Sequence, residues 1–480
     1  MGDDERRPLP VSLAWSDEAL DLFEQIASLQ IPAFVVGGAV RDALLRLPLK
    51  DLDLATPDDG LKLARRIANT LGGAYYPLDS ERSVGRAIID LPQGKLVIDV
   101  ARFRGDDLAA DLNDRDFTIN AMAVDLLDDP QRLIDPTGGV ADAHARLLRQ
   151  CNRSAIAADP VRTLRAVRQS VQLGFRIEAT TLADVRAQAP RLESVSPERS
   201  RDEFFRLLAL PKASTALKVA DVLGLLNVVL PEAQHLHERD TWQRALIMIE
   251  RLGEIYLTIS PRRTDETAAR FSLGMIVMGL DRYRQQLQAH LSERWADDRP
   301  HLALLTFAIL LMHAVPPDAA DKRAALMPLS NRERDRLSLI LRYFADDPVP
   351  DDLSVLALHR YWRRLGAAGV DVVILELAAY LADTGIEIDQ DDWIQRIGHA
   401  RTRLEAYFDR YGEVVEPAVL VDGGALMKAL ALKPGPVVGK LLDAIREAQV
   451  VGTVSTVDDA LALARSYVET PQTPTDGGRL

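Results

Sequence analysis

The chain has 480 residues, 47% of them hydrophobic and 27% charged, which is too long for one ordinary core and points to a globular protein of two to four domains. A formal net charge of −13 argues against a protein that coats nucleic acid nonspecifically, while leaving room for a local basic surface. The single cysteine, Cys151, excludes an intramolecular disulfide and suits a reducing cytoplasm.

Taken in chain order, MGDDERRPLP has no apolar core, so no secretory signal peptide is expected. Ser16-Asp17-Glu18 opens a helix, and ALDLFEQIASL continues it with apolar residues at helical spacing. Strands are expected at Ala33 to Val36, Asp51 to Ala55, Arg86 to Leu91 and Lys95 to Phe103, with an amphipathic helix from Asp58 to Leu71 that stops at Gly72-Gly73. Beyond Asp142 strand signals almost vanish and helical periodicity dominates, broken by Pro190, Pro197, Pro211 and a turn at Pro348 to Pro350. The run LALLTFAILLMHAV from Leu302 is too short to span a bilayer and predicts a buried helix; no membrane association is expected. The closing TPQTPTDGGRL reads as a disordered end.

Chemistry concentrates near the start. Residues two apart on a strand share a face, so Asp51 and Asp53 project together while Leu52 and Leu54 turn inward. Adjacent carboxylates repel unless a cation lies between them, and oxygen-only ligands suit magnesium. Upstream, Gly37-Gly38 allows a tight turn whose N–H groups can face an anion, with Arg41 in the first turn of the helix that follows; plain alternatives are a strand-to-helix turn and an Arg41–Asp42 surface ion pair. Asp99 interrupts the apolar strand KLVIDVARF and reads as an unpaired charge seeking the same metal. RDFTINAM, with Arg115, Asp116 and Asn120, interleaves polar and core residues and could equally be a capped helix start. From Arg146 to Arg176 there are seven arginines and one acid, Asp159; Asp159-Pro160 reads as an N-cap followed by proline at the first helical position. Arg162, Arg165 and Arg168 then form one stripe on that helix, and Val161, Leu164 and Val167 another.

GGAVRD, DLDLATP, RDFTINAM, IDPTGGVADAHARLLR and ADPVRTLRAVR, in this order, resemble the bacterial-type (class II) tRNA nucleotidyltransferase and poly(A) polymerase family, of the polymerase-beta-like nucleotidyltransferases. The resemblance is strong from about residue 30 to about 210 and visible to the C-terminus. It implies an α+β fold: a small mixed-sheet polymerase-beta-like nucleotidyltransferase head, then an elongated all-helical neck, body and tail. The boundaries are a catalytic head at 1–145, a neck at 146–212, a helical body with a degenerate HD-like region at 213–412, and an RNA-binding tail at 413–480. It further implies Asp51 and Asp53 as magnesium ligands and Asp99 as a third carboxylate helping to activate the attacking hydroxyl. Gly37, Gly38, Arg41 and Arg115 would contact the triphosphate, and Asp116 and Asn120 would lie near the sugar. Asp159, Arg162, Arg165 and Arg168 would face the incoming nucleotide, with Asp159 and Arg162 side by side choosing CTP or ATP without a template. Implied partners are the tRNA acceptor end, CTP and ATP, in the cytoplasm. The reaction is addition of C and/or A to the tRNA 3′ end with release of pyrophosphate; alternatives are CC-only or A-only addition, a poly(A) polymerase and an inactive RNA-binding homologue.

Three features depart from the family pattern. Ala158 stands where a glutamate usually precedes the base-reading aspartate and steadies its pair, which bears on the fine control of base choice and leaves Asp159 itself to steady Arg162. The link RGDDLAADLND before RDFT is short, which is reminiscent of members that add only two cytidines and equally consistent with a compact subgroup that uses a different device. Arg244 replaces a metal-binding histidine of the HD pattern, and His313 is followed by Ala314 rather than aspartate, which argues against phosphohydrolase activity. His313 is expected to be a core or boundary residue, and His235 and His237 surface residues. GPVVGK is not a P-loop, because three residues separate its glycines and Leu441 follows the lysine. Lys428, Lys433, Lys440 and Arg446 are candidate RNA phosphate contacts.

Overall fold

A computed structural model describes residues 12–91, 94–238, 241–260, 271–345, 352–385 and 388–469. The turn expected at Pro348 to Pro350 and the C-terminal tail segment lie outside these residues. The chain forms two compact units, Met1–Phe204 with Lys218–Leu230, and Phe205–Leu217 with Pro231–Leu480.

The first unit opens with α1 (Asp17–Ala27), started by Ser16, whose side chain accepts from the Ala19 N–H. Then come β1 (Phe34–Val36), α2 (Gly38–Leu44), β2 (Leu52–Thr56), α3 (Gly60–Thr70), β3 (Ala74–Asp79), β4 (Val84–Leu91) and β5 (Gly94–Arg102). After α4 (Leu108–Asn113) and a 3-10 turn at Thr118–Asn120 follow β6 (Ala123–Asp125), β7 (Leu133–Ile134) and α5 (Gly139–His144). The seven strands form one mixed sheet in the order β3-β4-β5-β2-β1-β6-β7, with β2 and β5 the parallel pair and the other neighbours antiparallel. Strand β3 was not expected: Tyr75 and Tyr76 favour it, but Pro77 masks it, and the sheet tolerates that proline because β3 is an edge strand with an irregularity at Pro77/Asp79.

The sheet has two unlike faces. One carries Val35, Leu52, Leu54, Ile98 and Val100 into the main core, against Phe23 and Ile26 of α1 and Leu63 and Ile67 of α3. The other carries Val36 and Ala55, covered by Leu112 of α4 and Ala121. On that second face the register aligns Val36 with Asp53, Asp53 with Asp99, and Asp99 with Arg86. Alternation thus sends the leucines of DLDL inward and Asp53 outward, as expected. Asp51 precedes the strand, which begins at Leu52.

Helices take over after α5, interrupted by the parallel pair β8 (Leu147–Leu148) and β9 (Arg176–Ile177). Between and beyond them lie α6 (Ala155–Ala158), α7 (Arg162–Leu173), α8 (Ala179–Gln188) and α9 (Pro197–Leu208). The second unit is helical throughout its described residues. The apolar run forms a helix at His301–Ala314 with nearly every side chain buried, as its composition predicts. Among the described residues no single helix is long and apolar enough to cross a membrane. Near the C-terminus, helices Gly423–Leu430, Pro436–Val450 and Val457–Glu469 close over their own small core of Leu426, Leu441, Ile445 and Ala460.

Candidate active site

Asp53 and Asp99 occupy partner positions on the parallel strands β2 and β5, where chains run about 4.8 Å apart. The packing around Asp53 disfavours its charge and pushes its carboxyl pKa up; the Arg115 guanidinium opposes this, and Asp99 and Asp51 reinforce it. Three carboxylates are therefore close enough to feel one another, and Asp51 and Asp53 both keep exposed surface. Asp99 is not the unpaired charge that the sequence suggested. Across the β4–β5 hairpin Arg86 grips both its oxygens, Nε to Oδ1 at 2.7 Å and Nη2 to Oδ2 at 2.9 Å. The pairing was countable: equal steps back from the LPQG turn bring residue 86 opposite 99.

Gly37 ends β1 beside this cluster. Its φ of +76° suits glycine, and a Cβ there would stand 3.2 Å from Asp53 Oδ2 and 3.3 Å from Arg115 Nη1. Gly38 starts α2, whose Arg41 folds back toward it. The Arg41 guanidinium pairs with Asp42 at 2.7 Å, as the plain alternative had it, and also donates to Asn120 Oδ1 at 2.6 Å. Arg115 is steadied by Asp111, buried on α4, at 2.9 Å; Asp111 also accepts the Arg104 N–H at 3.1 Å. The link before RDFT is thus pinned at both ends.

RDFT leads into the 3-10 turn, which begins at its Thr118. Thr118 donates to Asp142 Oδ2 at 2.7 Å, and Asp142 also accepts from Arg149 at 3.0 Å, which fixes the turn to the IDPTGGVAD segment. Asn120 donates to Asp116 at 3.0 Å and to Gln169 of α7 at 2.9 Å. Asp116 accepts from Arg165 Nε at 2.9 Å; Arg165, Asn120 and the Phe117 N–H together hold the Asp116 carboxyl far below the usual carboxylate range despite its burial. Glu203 of α9 takes Arg168 and approaches Arg165 at 3.7 Å. A continuous polar chain therefore runs from Arg41 through Asn120 and Asp116 to Arg165, Glu203 and Arg168.

The neck differs from expectation in two ways. Helix α7 begins at Arg162, after a tighter turn in which Arg162, Thr163 and Leu164 N–H groups bond to Asp159, Pro160 and Val161 carbonyls. Asp159 is thus not a side-chain cap, because its carboxylate goes instead to Arg199 Nη2 of α9 at 2.7 Å. Nor do Asp159 and Arg162 form a pair. Arg162 is buried and spends its donors on the carbonyls of Asp114 (2.8 Å), Arg115 (3.1 Å) and Ala155 (3.2 Å). Sequence reasoning missed Arg86, Asp111, Gln169, Arg199 and Glu203, all of which act through partners distant in sequence or, for Asp111, at helical spacing from Arg115.

Elsewhere, Arg244 binds Asp383 at 2.7 and 2.9 Å and donates to His313 Nε2 at 3.2 Å, placing a guanidinium among the HD-like residues. His313 is buried, as expected, and His235 and His237 are exposed. Among the described residues His290, His301 and Asp371 are grouped closely enough to hold a metal. Their hydrogen bonds already close the group: Asp371 Oδ1 meets His290 and His301 Nε2 at 2.6 and 2.7 Å. Trp295 Nε1–H points at His301 Nδ1 at 3.0 Å, so the proton of neutral His301 resides on Nε2.

A mixed sheet bearing paired carboxylates behind a glycine turn, carried by a helical chain, defines a nucleotidyltransferase. Residues 33–149 match the family described as poly A polymerase head domain, 174–236 the "Probable RNA and SrmB- binding site of polymerase A", and 412–464 tRNA nucleotidyltransferase domain 2. The chain is 35% identical over 446 residues to the CC-adding tRNA nucleotidyltransferase of Geobacter sulfurreducens, covering 92% of this chain and 93% of that one. It is 29% identical over 451 residues to the A-adding tRNA nucleotidyltransferase of Deinococcus radiodurans, covering 91% and 96%. Among solved structures, the Bacillus stearothermophilus CCA-adding enzyme in complex with CTP superposes with a TM-score of 0.61 at 24% identity, covering 94% of this chain and 97% of that one, a likeness of fold. The chain belongs to the bacterial-type tRNA nucleotidyltransferase and poly(A) polymerase family of enzymes.

Proposed function

We propose that this protein adds cytidine to the 3′ end of tRNA from CTP, releasing pyrophosphate, and stops before the terminal adenosine. The observation carrying the CC-only reading is the short, pinned link between β5 and RDFT, held by Asp111 to Arg104 and Arg115. A segment tied at both ends has little freedom to remodel the pocket between cytidine and adenosine. Full-length likeness to a CC-adding enzyme at 35%, against 29% for an A-adding one, supports the same reading. Work on tRNA suits the cytoplasm.

In this reading the tRNA 3′-hydroxyl attacks the α-phosphate in line and the pyrophosphate leaves, with no covalent enzyme intermediate. The oxygen-only donor set and the mutual repulsion of Asp51, Asp53 and Asp99 fit a divalent cation of the magnesium type, with Asp51 and Asp53 as ligands. When bound, magnesium supplies charge neutralisation on the phosphates and a lower pKa for the attacking hydroxyl. Asp99, oriented by Arg86, completes the acidic row toward that hydroxyl. The turn at Gly37 and Gly38, with Arg41 and Arg115, faces the triphosphate; Asp116 and Asn120 face the sugar. Arg165 and Arg168 lend positive charge from the neck, and Arg162 braces RDFT through its backbone.

The test supplies purified protein and magnesium with three tRNA transcripts, ending before CCA, after C and after CC, and each labelled nucleotide in turn. Two cytidines on the first and one on the second, with none on the third, support the proposal. Adenosine on the third makes the protein a CCA- or A-adding enzyme, and long adenylate tails make it a polymerase.

A further inference from the structure

We infer that Arg86 of β4 is a positioning residue that reserves Asp99 for the attacking hydroxyl and keeps its carboxylate out of the metal's ligand set. The inference deepens the nucleotidyltransferase reading above and rests on it. Arg86, Asp99 and Asp53 are register partners on the consecutive strands β4, β5 and β2. The guanidinium reaches across one strand spacing and takes both Asp99 oxygens, at 2.7 and 2.9 Å. Two parallel N–H···O bonds fix the plane of a carboxylate as well as its position, where a single bond would let it turn. Asp99 thus lies between a fixed cation on one neighbouring strand and the ligand Asp53 on the other.

The pair does little for stability. The Arg86 and Asp99 side chains are 38% and 30% exposed, and ion pairs open to water contribute little to folding. Its charge serves the site instead. The hydrogen bond to Asp99 raises the Arg86 pKa most, and the charges of Asp99, Asp51 and Asp53 add to it, so one guanidinium answers all three carboxylates. Arg115 and Arg165, which also act on Asp53, are offset by Asp111 and Asp116, each at 2.9 Å. With Arg86 counted against the three carboxylates, the row keeps the charge that one divalent cation neutralises. An ion drawing on Asp99 would first have to displace the guanidinium, whereas Asp51 and Asp53 need no such exchange with Arg86. Each Asp99 oxygen receives one bond from Arg86 and retains a lone pair, which can accept a hydrogen bond from the tRNA hydroxyl.

The test measures manganese(II) binding to full-length protein without nucleotide or RNA, from the electron paramagnetic resonance signal of the free ion. Beside it runs single-turnover incorporation of CTP on the transcript lacking CCA. Arg86→Met, which keeps the stem and removes the charge, should bind the ion about threefold or more tightly, because a nearby positive charge is gone and a carboxylate is released. The same variant should lose at least about tenfold in the rate constant at saturating CTP, with KM for CTP changed less than about twofold. Arg86→Lys, which keeps the charge without the fork, should bind manganese like the wild type and regain only part of the rate. Arg86→Met combined with Asp99→Asn removes the pair together and should return ion binding to the wild-type level. Ion binding in Arg86→Met no tighter than in wild type, an unchanged rate constant, or tight binding that survives in the double variant would each overturn the inference. Where Arg86→Met melts too low to assay, a wild-type rate constant in Arg86→Lys would overturn it. Wild-type protein that neither binds manganese nor incorporates CTP would overturn the underlying reading instead.

Discussion

The Asp116 carboxylate receives Arg165 Nε–H at 2.9 Å across 49 residues, fastening the RDFT turn to helix α7. Both partners are largely enclosed, and Asn120, also on Asp116, extends the fastening to Arg41. One pair thus joins the RDFT segment and the neck helix.

Breaking it should be costly, because Arg165 would lose its nearest counter-charge. Asp116→Asn should destabilise the fold by about 3 kcal/mol and reduce incorporation of every nucleotide alike, as measured by urea denaturation and primer extension. The sign of its pH dependence follows from the depressed Asp116 pKa. A carboxyl lowered in the folded state contributes stability above its unfolded pKa, near 4, and loses it as pH falls through the folded value. The gap between wild type and Asp116→Asn should stay level from pH 5 to 8 and narrow only in strong acid.

Asp53 behaves in the opposite sense. Its raised pKa means that the folded chain holds the proton more tightly than the unfolded chain, so ionisation costs stability as pH rises toward neutrality. Asp53→Asn should melt higher than wild type in chelator at pH 7 and should lose the rise in Tm that magnesium gives the wild type. Incorporation should fall at least about a hundredfold in Asp53→Asn and in Asp51→Ala, and in wild type with EDTA. Turnover surviving in either variant would remove these carboxylates from the site.

The acidic row was legible because its signals are local: alternation turns Asp53 away from the leucines, and Gly37-Gly38 announces the turn beside it. What stayed hidden required pairing over distance. Asp99 was read as lacking a partner because Arg86 approaches only when the hairpin register is known. The family resemblance places Asp159 and Arg162 side by side, yet the turn at 159–161 sends one to α9 and the other to backbone carbonyls. Arg199 carries no motif of its own, and only its contact with Asp159, 40 residues away, discloses it.

His313 gives a second pH-dependent signature. Burial depresses its pKa, its Nδ1–H donates to the Ile309 carbonyl at 2.8 Å, and its Nε2 accepts from Arg244. A histidine lowered in the folded state contributes stability above its unfolded pKa, near 6.5, and loses it as pH falls below that. Stability should therefore decline between pH 6.5 and 5, and His313→Gln should flatten that decline in thermal melts. Arg244→Ala should cost about 1 kcal/mol, and wild type given manganese or nickel should hydrolyse no phosphodiester, since a guanidinium stands among the HD-like residues.

The C-terminal cations differ in availability, and this makes the tail testable. Lys428, Lys433 and Lys440 are exposed on two neighbouring helices and the turn between them, whereas Arg446 donates to Asp443 at 3.1 Å. A cation already paired gains less on meeting phosphate than a solvated one, because it must first leave its carboxylate. If the three lysines grip the tRNA backbone, replacing all of them by Gln should weaken tRNA binding and shallow the log–log salt dependence by about 2 to 3 units, about 0.7–0.9 per lost contact. Arg446→Gln should change the slope by less than any single lysine. Catalysis on a short mimic of the acceptor end, which lacks the rest of the tRNA backbone, should be unaffected by the triple substitution. Filter binding across a salt series decides the matter: an unchanged slope would mean that these lysines serve as solvated surface charge.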